Sequence, residues 1–182
     1  MLSFYVHIPY CVRRCGYCDF NTYTPSELQD GATLEIVSGD YIDAVLKELE
    51  AAPKDVVPTI FFGGGTPSLL PPKDLGRVIA AIKARNGITD DCEITLEANP
   101  DSVTQEKLNE LFAVGFNRIS FGMQSSNADV LKVLDRTHNP ENVRKAVDMA
   151  RLAGFQSVSV DLIYGAPGET LSDWAATVKE AL

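Results

Sequence analysis

The sequence predicts a parallel α/β fold, on three observations. Five short runs rich in β-branched and aromatic residues recur along the 182 residues. Helical patterns separate them. The polar and glycine residues that interrupt the apolar pattern fall at the C-terminal ends of the strand-like runs. Alternating strands and helices imply a parallel sheet with crossover helices. Two closures satisfy the pattern: an open doubly wound sheet or a partial β/α barrel.

The strands are expected at 2–8, 58–62, 93–98, 118–124 and 157–165, each flanked by turn residues. Between them, 40–52 and 74–84 place apolar residues at helical spacing. The segment 104–115 starts on a cap-competent Thr104 and stops at Gly115. A shorter helix is expected at 127–136. The helix at 139–154 opens with Asn-Pro and closes on Gly154, the usual start and stop signals. A sixth crossover helix begins after "YGAPGET", and the sequence ends at Leu182 with no following strand. The expectation is one domain, 1–182, forming the N-terminal part of a longer chain. The polar stretch 24–39 reads as a mobile loop over the active face.

Composition narrows the function classes. Hydrophobic residues make up 45%, a globular value. Lys and Arg total 16 against 25 Asp and Glu, a net charge of −9, which argues against nucleic acid or anionic membrane as a general partner. No apolar run approaches a membrane span. No signal peptide is evident, so the expected compartment is the cytoplasm, where clustered thiols are metal ligands more often than disulfides.

Three of the four cysteines, Cys11, Cys15 and Cys18, lie in "YCVRRCGYCDF" just after the first strand. Such spacing suits zinc or an iron–sulfur cluster. Zinc needs a fourth ligand, for which His7 and Cys92 are the candidates. Three thiolates on a cubane would leave one iron open for a small ligand. At the same edge, "GGGTP" follows strand two, Glu97 and Asn99 end strand three, Gln124 ends strand four, and Asp161 interrupts the apolar strand five. Ligands bind at that edge of parallel sheets and barrels.

The cysteine spacing, with Tyr17 before the third thiol, resembles the radical S-adenosylmethionine (SAM) superfamily. With "FFGGGTPSLL", "LEANPD", "RISFGMQS" and "VDLIYGAPGET", nearly the whole chain is similar to one branch. That branch holds oxygen-independent coproporphyrinogen III oxidase and the HemW-type haem chaperones. The resemblance implies a partial barrel of the radical SAM type, cut after about five strands. It implies a [4Fe–4S] cluster on Cys11, Cys15 and Cys18. It implies SAM contacts from Tyr5, Gly64, Gly65, Thr66, Glu97, Gln124, Arg136 and Asp161. Haem, an unknown haem acceptor and an electron donor are implied partners, with the haem-contacting motif expected C-terminal to these 182 residues. The oxidase pattern carries a further cysteine where this chain has Phe20, and "LEANP" stands where it has "EVDP". These departures favour the chaperone. The alternatives are a radical SAM oxidoreductase acting on coproporphyrinogen III and a zinc-stabilised binding module. His138 reads as a surface histidine with no role.

Overall fold

The structure is a computed structural model that describes residues 2–28, 34–136 and 138–182. Five strands form one sheet: β1 (Phe4–Ile8), β2 (Val57–Gly64), β3 (Ile88–Ala98), β4 (Arg118–Gln124) and β5 (Ser157–Leu162). Six helices accompany them: α1 (Leu34–Ala51), α2 (Pro72–Asn86), α3 (Gln105–Ala113), α4 (Ala128–Val133), α5 (Pro140–Ala153) and α6 (Leu171–Ala181).

The strand order is β1-β2-β3-β4-β5, every pair parallel. Crossovers between parallel strands are right-handed, so a sequential order stacks the crossover helices on one face. Strand residues alternate between faces. Ile60, Phe62, Ile94, Leu96, Ile119 and Phe121 point to the helices and are at most 2% exposed. They pack with Ile42, Leu75, Ile79, Leu108, Leu111 and Ala146 in a single core. Phe62 meets Phe116 edge-on, ring centroids 5.0 Å apart. The alternate residues, Tyr5, His7, Thr95, Glu97, Arg118, Ser120, Ser159 and Asp161, line the other face. One helix-covered face and one polar face is the half-barrel arrangement, not the doubly wound one.

The element limits differ from the sequence reading by three residues or more in four places. The helix expected from residue 40 begins at Leu34, so only residues 29–33 of the expected 24–39 loop lie outside the described residues. Within that stretch, Pro25–Glu27 forms a 3-10 turn. β3 starts at Ile88, where it pairs with Val57 before a register shift. α4 stops at Val133 because Asp135 adopts φ +53° and cannot continue a helix. β5 ends at Leu162, and Tyr164 beyond it is 78% exposed. No helix among the described residues is long and apolar enough to cross a membrane.

Candidate functional site

The cysteine loop leaves β1 and folds back on itself. Tyr23 N donates to Pro9 O at 2.6 Å and Cys11 N to Tyr23 O at 3.0 Å, which closes the loop base. Arg14 ties down the returning limb, donating to the Thr22 carbonyl and to Glu27 at 3.0 Å. His7 Nε2 bonds to Asn21 O at 2.9 Å. Cys11, Cys15 and Cys18 are all free thiols, half-buried, and line one cavity of about 490 Å³. Burial pushes the Cys11 thiol pKa up, opposed by the Thr66 hydroxyl 3.8 Å from its sulfur.

The glycine run after β2 forms the next wall. Gly65 N donates to Ile8 O at 2.7 Å and Thr66 N to Tyr10 O at 2.8 Å, so the run lies against the start of the cysteine loop. A Cβ at Gly65 would sit 2.6 Å from Tyr10 O. Gly64 has φ +110°, and a Cβ there would meet the His7 ring at 2.6 Å. These glycines are therefore demanded by the chain's own backbone, before any ligand is considered. Gly64 N donates to Glu97 Oε2 at 3.1 Å. Burial raises the Glu97 pKa, that N–H opposes it, and nearby Asp161 adds to the rise.

β4 and β5 complete the wall. Gln124 ends β4 in the left-handed region, φ +62°, and is 8% exposed. A buried non-glycine residue there stores strain, which is common at functional sites. Asp161 accepts from Ser120 Oγ, 3.1 Å from both its oxygens. Ser120 accepts in turn from Ser159 Oγ at 2.8 Å, and Ser159 from Arg118 Nη2 at 3.1 Å. The chain of donors runs one way because a guanidinium only donates. Arg136 Nη1 lies 3.5 Å from Cys15 Sγ, and Nη2 donates to Gly122 O at 2.7 Å. Its Nε is buried with no acceptor among the described residues.

The cavity thus gathers the three cysteines with Gly64, Gly65, Thr66, Glu97, Gln124, Arg136 and Asp161. Tyr5 stands apart. Its ring stacks on Phe61 at 5.9 Å and its hydroxyl reaches His7 Nδ1 at 3.3 Å, beside the cavity rather than in its lining. Sequence reasoning missed Arg13, Asp101, Ser120, Gly122 and Asp135, which also line it. The period-2 pattern of β4 was the signal available for Ser120 and Gly122. His138 is not a surface residue. It is 4% exposed, with its ring nitrogens buried and the Met123 backbone beside them. Burial, with the Arg136 charge, lowers its pKa. The polar neighbours Arg136 and Asn139 gave no sign of this, because tertiary packing and not flanking sequence buries the ring.

Neither candidate supplies zinc with a fourth ligand. Cys92 lies in the first half of β3, away from the cavity, and both His7 nitrogens are engaged. Among the described residues, no group of three or more His, Cys, Asp or Glu side chains is set to hold a single metal ion. The three thiols line one cavity, and the ligands of an iron–sulfur cluster each reach a separate iron.

The model of the radical SAM superfamily matches residues 5–181. The chain belongs to the radical SAM superfamily. Within it, the chain is 41% identical to the heme chaperone HemW of Mycobacterium tuberculosis, over 98% of this chain and 45% of that protein. It is 36% identical to the heme chaperone HemW of Escherichia coli, over the whole chain and 47% of that protein. Among solved structures, coproporphyrinogen III oxidase (HemN) of Escherichia coli, a radical SAM enzyme, superposes with a TM-score of 0.82 at 31% identity. That match covers 97% of this chain and 40% of the oxidase chain. The chain spans just under half the length of these curated relatives. Membership of the superfamily implies SAM and an iron–sulfur cluster. The residues present fit both. Three uncommitted thiols supply soft ligands, and the unpartnered Arg136 Nε is a buried charged donor left for an acceptor.

Proposed function

We propose that this chain is the cluster- and SAM-binding part of a HemW-type haem chaperone, which binds haem and passes it to acceptor proteins. Cys11, Cys15 and Cys18 would hold a [4Fe–4S] cluster. The bound cluster supplies an open iron for SAM and an electron for reductive SAM chemistry. The protein's own residues bind and orient. The Gly64–Thr66 backbone lies close enough to the cavity to approach the methionine moiety of SAM. Glu97 and Asp161 are two acceptors for ribose hydroxyls or the ammonium group. The Arg136 guanidinium suits the SAM carboxylate, and Gln124 would contact the same ligand. Tyr5, outside the lining, is the weakest member of this set. An electron donor and a haem acceptor complete the partners, and the cytoplasm is the compartment that keeps such thiols reduced.

The observation that carries the chaperone choice is Phe20. It lines the cavity mouth, 60% exposed, where the oxidase pattern has its additional cysteine. The site therefore offers three thiols and an apolar ring, not four thiols. A second reading, an oxidoreductase acting on coproporphyrinogen III, draws on the structural likeness to the oxidase.

Anaerobic reconstitution with iron and sulfide tests the first part. A broad absorption near ~400 nm, with about four irons per chain, indicates the cluster. A SAM-dependent change in the reduced EPR signal marks the open iron. Haem titration of the reconstituted full-length protein then separates the two readings. Haem binding without porphyrinogen turnover supports the chaperone, and decarboxylated product supports the oxidase. A colourless, zinc-loaded protein overturns both.

A further inference from the structure

Asp135 and Arg136 follow α4 as a two-residue turn that faces the cysteine loop. Asp135 sits at φ +53°, a region Asp tolerates better than most residues. Its Oδ1 accepts from Arg13 Nη2 at 3.1 Å. Its Oδ2 lies 2.7 Å from where a Gly16 Cβ would stand, so the carboxylate fits over the loop only because residue 16 has no side chain. Arg136 reaches the same loop at Cys15 Sγ, 3.5 Å away, while its other nitrogen holds the Gly122 carbonyl at 2.7 Å. The loop belongs to β1 and Gly122 to β4, strands that do not pair in the sheet. The turn thus bridges the cavity mouth.

We propose that the Asp135–Arg136 turn is a strap that positions the cysteine loop and sets the charge around its thiolates. Arg136 is the donor to Cys15, and Asp135 is the counter-charge and the anchor for Arg13. The inference rests on the cluster reading given above. Hydrogen bonds to ligand sulfurs and nearby charge set cluster potentials. A positive donor stabilises the reduced, more negative cluster, and a carboxylate opposes it. Removing each therefore moves the potential in opposite directions. Loosening the loop would instead move both the same way.

Two measurements test this. In the cluster-free protein, hydrogen exchange across 11–23 is compared for the unsubstituted chain, Asp135→Asn, Arg13→Gln and the double variant. Exchange about two- to fivefold faster in each single variant, the scale of an exposed ion pair, is expected, with no further gain in the double. Exchange in α2 should not change. In the reconstituted protein, EPR-monitored redox titration should place Asp135→Asn above, and Arg136→Gln below, the unsubstituted potential. Shifts in the same direction, or none, overturn the electrostatic role. Unchanged loop exchange overturns the strap. Should the unsubstituted protein assemble no cluster, the cluster reading falls, and the exchange measurement still decides the strap.

Discussion

Glu97 shows what one residue contributes and what it costs. Its carboxyl titrates above the ordinary 4.5, first because it is buried and second because Asp161 is near. Below about 4.5, folded and unfolded chains both carry the proton. As pH rises, the unfolded chain ionises first while the folded one keeps its proton, so stability falls through the folded pKa. Glu97→Gln removes this loss. Urea midpoints measured from pH 4 to 8 should show the variant gaining on the unsubstituted protein as pH rises, then holding a constant lead. A lead independent of pH would mean Glu97 is not a buried acid in the ligand-free state. SAM affinity of the variant should fall, because the negative acceptor is gone. At this scale the sequence was informative where strand periodicity placed a residue, as for Glu97 and Asp161. It misplaced His138 on the surface and was silent for Asp135, because what packs against each across the fold decides its setting.

The β1–β2 junction makes the case at the level of elements. Gly64 and Gly65 were expected as SAM contacts. The structure adds an earlier demand, because Gly65 presses against the Ile8 and Tyr10 carbonyls that launch the cysteine loop. Gly65→Ala should therefore destabilise the protein itself, by about 1–3 kcal/mol, as strained or overpacked sites do. The check is a urea titration of the cluster-free variant, in which the midpoint drops while the slope is kept. An unchanged midpoint with lost SAM binding would assign the glycine to the ligand alone. The Cys-to-Gly pairing of these two segments was not legible beforehand. Each motif could be read in the sequence, but the hydrogen bonds that lock Thr66 to Tyr10 depend on β1 and β2 being neighbours.

For the whole molecule, strand–helix alternation left barrel and doubly wound sheet undecided. The deciding signal was nevertheless in the strands. "EITLEA", "RISFGMQ" and "SVSVDL" alternate polar with apolar residues. Strands covered by helices on both faces read as continuous apolar runs instead. The alternation is why one face is polar and free to carry Arg118, Ser120, Ser159 and Asp161. The same topology grades stability across the sheet. β2, β3 and β4 are central, and their core residues are at most 6% exposed. β5 is an edge strand, where Val158, Val160 and Leu162 are only half-buried. Amides of Leu96, Ile119 and Phe121 should exchange only on global unfolding. Those of Ser159–Leu162 should open at a free energy a few kcal/mol lower. Because Asp161 sits on that weaker strand, SAM bound to the reconstituted protein should slow exchange in β5 and the cysteine loop much more than in β2 and β3. Uniform protection across all five strands would show that the ligand stabilises the fold as a whole and does not engage the β5 edge.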